Sequence, residues 1–527
     1  MSYRLLGLVA ALSLAALAGS ASASAAVFRW ANDGDVSSMD PYTRNETVQL
    51  SFLANIYEPL IRRNKELGLE PSLAVKWEQT SPTVWRFHLR EGVKFTDGTP
   101  LTADDVVFSL GRVKSPNSVL RATLGSVKEA RKVDNLTVDF DTGKPDPILP
   151  QELTTFGIMS KAWAEKNNAV EPVNLSSGQE NYAIRHAMGT GPYVLVSREP
   201  DRRTVIEANP NWWDKREGNV TRSEFNVISN ASTRVAALLS GEIDMIYSVP
   251  PQDMDRIKHT EGLKLITGPE LRTIFLGMDQ WRDELLRSNI KGKNPLKDVR
   301  VREAFALAID EAAIASRIMR GQAHPTWQMW GPGVNGFDKA QNERPKADPA
   351  KAKQLLAEAG YPNGFSMSMD CPNDRYVNDE AICTAVVAML ARIGVKVDLT
   401  AQTKIRFFSK IAAPAYDTDF YMLGWTPATY DAHNALYNLI ATRKLPQGEV
   451  NYGGYSNPQM DDLIASIGVE ADPAKRDAMI HQATAILQKD FGYIPLHQQM
   501  IAWAARKNIE LVQMADNYFP LRFVKVK

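Results

Sequence analysis

Helix and strand signals interleave along this chain with no fixed repeat, and that alternation confines it to α/β architectures in which helices cover sheets. Residues Val84 to Arg90 place Trp85, Phe87 and Leu89 on one face and Arg86, His88 and Arg90 on the other, the pattern of a half-buried strand. Leu136, Val138 and Phe140 repeat it against Thr137, Asp139 and Asp141. Asp348-Pro349, Asn457-Pro458 and Asp472-Pro473 each put a side-chain acceptor at an N-cap and a proline at the first helical position. The first of these helices is expected to stop at Gly360. Its Ala352, Leu355, Leu356 and Ala359 form an apolar stripe at helical spacing, as do Val301, Ala304, Phe305, Ala308 and Ile309 in another helix, so both stripes are read as core. Strands at Val395 to Leu399 and Asp419 to Leu423 follow helices or irregular connections. Neither a long linker nor a low-complexity stretch divides the 527 residues, and a chain of that length implies two or three lobes at ~100–200 residues each.

Ahead of this body lies a segment expected to be removed. Arg4 precedes an apolar run from Leu5 to Ala18, and small residues ending in Ala23-Ser24-Ala25 follow, the layout of a secretory signal peptide cleaved near Ala25 or Ala26. The apolar run falls short of the roughly 20 residues that span a bilayer, and later apolar stretches are interrupted by charge. No cysteine stands beside the cleavage point to carry a lipid. The expectation is a freely diffusing periplasmic protein. Export also bears on the two cysteines, Cys371 and Cys383: close in sequence in an oxidising compartment, they are expected to pair, and the loop so closed contributes roughly 3 kcal/mol.

Charge and motif searches narrow the function classes. Lys plus Arg and Asp plus Glu both number 61, so no basic footprint for nucleic acid exists. The seven histidines are scattered without metal-ligand spacing, and no HExxH, CxxC or GxSxG motif occurs, so neither a metal nor a cofactor is expected. Gly331-Pro332-Gly333 suits a turn and not a phosphate cradle. Asp104-Asp105 and Asp461-Asp462 are paired carboxylates, but each opens a predicted helix, where acidic side chains oppose the dipole. An exported hydrolase, the rival reading, has no nucleophile, base or metal constellation to stand on.

The stretch LEPSLAVKWEQTSPTVWRFHLREGVKFTDGTPLTADDVVFSLGRV, Leu69 to Val113, closely resembles the signature region of the family 5 extracellular solute-binding proteins, the peptide, oligopeptide and nickel receptors of ABC importers. Further resemblances run in order: SMDPY at Ser38, GTGPYVL at Gly189, NPNWW at Asn209, LLSGEIDMI at Leu238, VRVREAFALAID at Val299, LLAEAGYPNGF at Leu355, IGVKVDL at Ile393 and DFYMLGW at Asp419. The resemblance implies a two-lobed, Venus-flytrap fold with hinge strands: lobe I from 27–73, 190–270 and 490–527, an inserted small lobe over 74–189, and lobe II over 271–489, with 1–26 as the leader. It implies a monomeric receptor that closes on a small solute or peptide and docks on a membrane permease served by cytoplasmic ATPases. A chemosensory receptor would use the same closed form.

The resemblance also points to the ligand. Dipeptide receptors of this family carry an acidic residue four positions after the glycine of a GW motif, where it pairs with the ligand's amine. Here GWTPATYDAHN begins at Gly424, and the matching position is Ala428: the amine clamp has lost its charge. The arginine that meets the dipeptide carboxylate matches Arg375, and its paired donors suit two carboxylate oxygens. The expected solute therefore carries a carboxylate but needs no free α-amine in the usual place. Arg375 and Trp425 lead the candidate binding residues, followed by Thr426, Tyr430 and Asp431, with Tyr42 and Thr43 expected to face the cleft from the opposite lobe. Each has a plainer alternative: a surface ion pair for Arg375, core for Trp425, a helix N-cap for Asp431, loop packing for Tyr42 and Thr43. His433 is read as a satisfied polar residue, and Arg406 as added positive potential or a solvated helix face.

Overall fold

The computed structural model describes residues 26–121 and 123–527; the expected leader, apart from Ala26, lies outside them. One sheet of eleven strands runs through the molecule. At one end, Tyr193–Glu199, Arg203–Ala208 and Val220–Val227 pair antiparallel, and Ala26–Asn32 then lies parallel between Val220–Val227 and Met245–Tyr247. At the other end, Ser366–Pro372 lies parallel between Lys396–Gln402 and Phe420–Trp425. Two long antiparallel strands, Leu263–Met278 and Ile494–Arg506, join the halves. The parallel strands are near-continuous apolar runs, as strands covered on both faces must be: Phe420, Tyr421, Met422 and Leu423 are all buried.

Each half builds its own core. Phe28, Trp30, Phe52, Phe225, Trp503 and Phe519 cluster around the first half, while Ile274, Phe305, Phe365, Met369 and Phe420 cluster on one face of the second and Phe275, Trp330, Tyr421 and Leu436 on the other. This is the two-lobed α/β arrangement expected from the sequence. A separate four-stranded antiparallel sheet, in the order Ala74–Ser81, Val84–Leu89, Thr137–Asp141, Glu129–Asp134, carries Phe87 and Phe140 into the same core as Phe28 and Trp30.

The proline-marked helices begin where the sequence puts them. Asp348, Asn457 and Asp472 accept backbone N–H groups at the starts of Pro349–Glu358, Pro458–Ile467 and Pro473–Asp490. Asp105 closes a capping box with Thr102, which accounts for one acidic pair. Cys371 and Cys383 form a disulfide with Cα atoms 6.5 Å apart, tying the end of Ser366–Pro372 to the helix Asp379–Ala391. No helix among the described residues is long and apolar enough to cross a membrane.

Candidate functional site

The two joining strands slip register where they pass between the lobes. Pro269 lies opposite Met500 and Thr273 opposite Gln498, so Glu270, Leu271 and Arg272 bulge out of the ladder. A bulge re-aims side chains, and this one delivers a buried ion pair. Glu270 Oε1 accepts from Arg272 Nε at 3.1 Å, and its other oxygen accepts from Gln499 Nε2 at 2.7 Å. Gln499 in turn accepts from the backbone N–H of Val377 at 3.2 Å, connecting the bulge to the loop that carries Arg375.

That loop is shaped by Asp379, whose Oδ2 accepts the N–H groups of Arg375 and Tyr376 at 2.9 and 3.0 Å, and it is closed at its base by the disulfide. The guanidinium of Arg375 stands 5.2 Å from the centroid of the Tyr376 ring; it has no ion-pair or hydrogen-bond partner among the described residues. Arg272 approaches the same ring at 5.8 Å. Tyr376 reaches the end of Phe420–Trp425 through its hydroxyl, which donates to Gly424 O at 3.4 Å. Gly424 must be glycine for this: a Cβ there would stand 2.8 Å from both Tyr376 and Ile274.

Beyond Gly424, the half-buried Trp425 lies opposite Thr273 and donates from Nε1 to Asn434 at 3.0 Å. The hydroxyls of Thr273, Thr426 and Thr429 are buried without a partner. Tyr430, at φ +56°, crosses to the chain termini: its hydroxyl donates to Asp516 Oδ2 at 2.6 Å, and the Arg63 guanidinium sits 4.0 Å over its ring while donating to Thr429 O at 3.0 Å. Burial, with the Asp516 carboxylate beside it, holds the Tyr430 phenol well above its usual range. Burial likewise pushes Asp516 up and Arg63 down.

Three expected cleft residues are engaged elsewhere. Both oxygens of Asp431 are held by Arg476 at 2.6 and 2.7 Å, and Oδ1 also caps the helix through His433 N at 2.8 Å. The N-cap reading of Asp431 thus describes its contacts. Tyr42 is fully buried and donates to Gly157 O at 2.5 Å, while Thr43 donates to Ser38 Oγ at 2.9 Å and to Asp40 O at 3.1 Å. Their side chains pack the loop instead of facing a cleft, because the ring finds an apolar seat and both hydroxyls find internal acceptors. Arg406 is exposed on the helix Lys404–Ile411. Burial holds His433 neutral, with its pKa lowered to about 4. No group of His, Cys, Asp and Glu that could hold a metal occurs among the described residues.

Sequence reasoning missed Glu270 and Arg272, a pair aimed by a slip against a distant strand, and Arg63 and Asp516, which meet Tyr430 from far along the chain. Another opening, a groove of about 670 Å³ between the hairpin at Gln79 to Pro82 and the turn at Val469 to Ala471, shares no lining residue with this cluster. Its wall holds a single charged side chain, Glu470. The chemistry is concentrated at the hinge.

Comparison with known proteins agrees with this architecture. The model of the bacterial extracellular solute-binding proteins, family 5 (middle), matches residues 68–445. The glutathione-binding protein GsiB of Shigella dysenteriae serotype 1 is 26% identical over 511 residues, 95% of each chain. The periplasmic binding protein DppA of Helicobacter pylori, solved with the peptide STSA, superposes with a TM-score of 0.80 at 22% identity over 95% of this chain and 98% of its own. AgaA of A. tumefaciens R10, solved with agropinic acid, superposes with a TM-score of 0.79 at 22% identity over 95% and 99%.

Proposed function

Since this chain belongs to the family 5 bacterial extracellular solute-binding proteins, the receptors of ABC importers, we propose that it captures a short peptide or peptide-like solute through a carboxylate, using Arg375 as the clamp. The observation that carries this reading is the state of Arg375: its guanidinium lies against an aromatic ring at the strand end and donates to no group among the described residues. An arginine left free over the Tyr376 ring, whose hydroxyl reaches Gly424, is a forked donor for a planar anion. Trp425, Thr426 and Tyr430 supply the adjoining wall, and Asp431, Tyr42 and Thr43 act as scaffold.

Binding is coupled to closure. A solute touching both lobes populates the closed form in proportion to the contacts made only there. Tyr430, reaching Asp516 and Arg63, is the protein's own contribution to that form. The loaded receptor then docks on a permease, and the solute leaves unaltered; the receptor acts as a monomer in the periplasm, its leader cleaved near Ala25 or Ala26. The names of the relatives fit this class, since GsiB is a glutathione-binding protein and DppA was solved with a peptide.

Isothermal titration of the mature protein against dipeptides, N-acylated dipeptides and their C-terminal amides tests the reading. Free carboxylates should bind, their amides should not, and a saturating ligand at 100 times its Kd should raise stability by about 2.7 kcal/mol. Retention of full affinity in Arg375→Gln would remove the clamp.

A further inference from the structure

Arg272 is unusual among the arginines near the hinge because it is oriented but not satisfied. Its Nε is held by Glu270 at 3.1 Å, and Glu270 is fixed from its other oxygen by Gln499 at 2.7 Å. The two terminal nitrogens of Arg272 donate to nothing among the described residues. Unlike Nε of Arg63, which is sealed and unpartnered, they are not closed off from solvent, although the whole side chain is only 8% exposed. Arg375 is likewise unspent. The two guanidinium carbons stand 5.8 and 5.2 Å from one ring centroid, that of Tyr376, and so are no more than about 11 Å apart.

Two forks thus approach one aromatic ring, and the carboxylate that holds Arg272, Glu270, is already committed on both oxygens. The terminal nitrogens of a guanidinium whose Nε is occupied form a planar pair matched to a second carboxylate. We propose that Arg272 is a further ligand-reading residue, and that the solute carries two carboxylates, one for each arginine: an acidic short peptide or an amino-acid derivative with a second acid group. The proposal rests on the Arg375 reading and extends it. Glu270 is the positioning residue, since it fixes the plane of the Arg272 fork without blocking its end. Placing the pair on the hinge bulge also joins the second carboxylate to closure, because Gln499 links Glu270 to the backbone at Val377 beside Tyr376.

The test uses isosteric peptides that differ only in the second acid: Ala-Glu against Ala-Gln and N-acetyl-Ala-Glu against N-acetyl-Ala-Gln, titrated at pH 7 into the mature wild type, Arg272→Gln, Arg272→Lys and Arg375→Gln. The glutamate member of at least one pair should bind about 10- to 100-fold tighter to wild type, the range of charge-assisted hydrogen bonds. Arg272→Gln should reduce that ratio to near one by weakening the glutamate peptide far more than the glutamine peptide. Arg272→Lys keeps a cation opposite Glu270 and so guards against misfolding; it should lower the ratio at least threefold through loss of the fork. Arg375→Gln should weaken both members. Equal binding of the two members by wild type, an unchanged ratio in Arg272→Lys, or equal weakening of both members by Arg272→Gln overturns this inference; so long as Arg375→Gln still costs affinity, the single-carboxylate reading survives. If no member of either pair binds, both readings fall.

Discussion

Tyr430 donates its hydroxyl hydrogen to Asp516 at 2.6 Å across 86 positions of sequence. The contact spans the fold: Tyr430 follows the last strand of the second half, whereas Asp516 comes after the chain has returned through the strand Ile494–Arg506. Arg63, near the other end of the chain, completes the group over the Tyr430 ring. Segments from three distant parts of the sequence therefore meet on one phenol.

Tyr430→Phe removes the donor and leaves the buried Asp516 carboxyl without it. A hydrogen bond to a charged group contributes about 1.5–3 kcal/mol, so the closed form should lose population and solute affinity should fall by roughly 10- to 100-fold. Titration calorimetry measures the affinity, and solution scattering should show a larger radius of gyration for the variant at subsaturating solute. An unchanged radius and Kd would mean that the phenol adds nothing to closure.

Asp431 makes the opposite case. Its oxygens are committed to Arg476 and to a helix start, and both partners of the ion pair are buried. Asp431→Asn should therefore cost about 3–5 kcal/mol in chemical denaturation, the penalty of stranding a buried charge. The Kd of the folded variant should move by less than a few-fold. Loss of affinity with full stability would instead place Asp431 on the solute.

Much of the scaffold was legible because its causes are local. A proline after Asp or Asn specifies a helix start within four residues, and the structure caps Pro349–Glu358, Pro458–Ile467 and Pro473–Asp490 in that way. The disulfide closes a short loop and followed from export. The candidate site was legible only in part. Arg375 and Trp425 emerged from resemblance to a family motif, while Tyr42 and Thr43 looked accessible because they follow the first strand. Tyr42 packs against Gly157 and Phe156, more than 100 residues away, and Thr43 turns its hydroxyl onto Ser38 and Asp40. The Glu270–Arg272 pair gave no signal at all. A bulge exists only when two strands pair, and at this one the bonded residues Glu270 and Gln499 are 229 positions apart.

His433 gives a pH signature. Burial lowers its pKa from 6.5 to about 4, although Asp431 beside it pulls the other way. The unfolded chain thus binds a proton near pH 6.5 that the folded imidazole refuses until about pH 4. Its contribution to stability is complete above pH 6.5 and is lost progressively as pH falls toward 4. Denaturation midpoints of the wild type should decline across that window, and His433→Gln should show a shallower decline by the slope of about one proton. The same slope in both proteins would mean that other groups carry the acid sensitivity.

Ala428 offers a gain-of-function test of whether a free amine is required. It occupies the place where similar dipeptide receptors hold an acid, four residues after Gly424, and it is half-exposed. Between it and Tyr430 stands Thr429, whose hydroxyl is buried without a partner, so the segment is not otherwise saturated with polar contacts. Ala428→Asp should place a carboxylate opposite the amino end of a peptide whose carboxylate is held by Arg375. Because a hydrogen bond between charged groups contributes about 1.5–3 kcal/mol, free dipeptides should bind the variant about tenfold or more tightly than they bind wild type. N-acetylated dipeptides should bind it more weakly, since their blocked end leaves the new charge unpaired. Ala428→Asn separates charge from shape and should improve free dipeptides only slightly. If Ala428→Asp leaves the ratio of free to acetylated affinity unchanged, the amino end lies elsewhere, and the alignment of this segment with the dipeptide receptors is wrong by at least one residue.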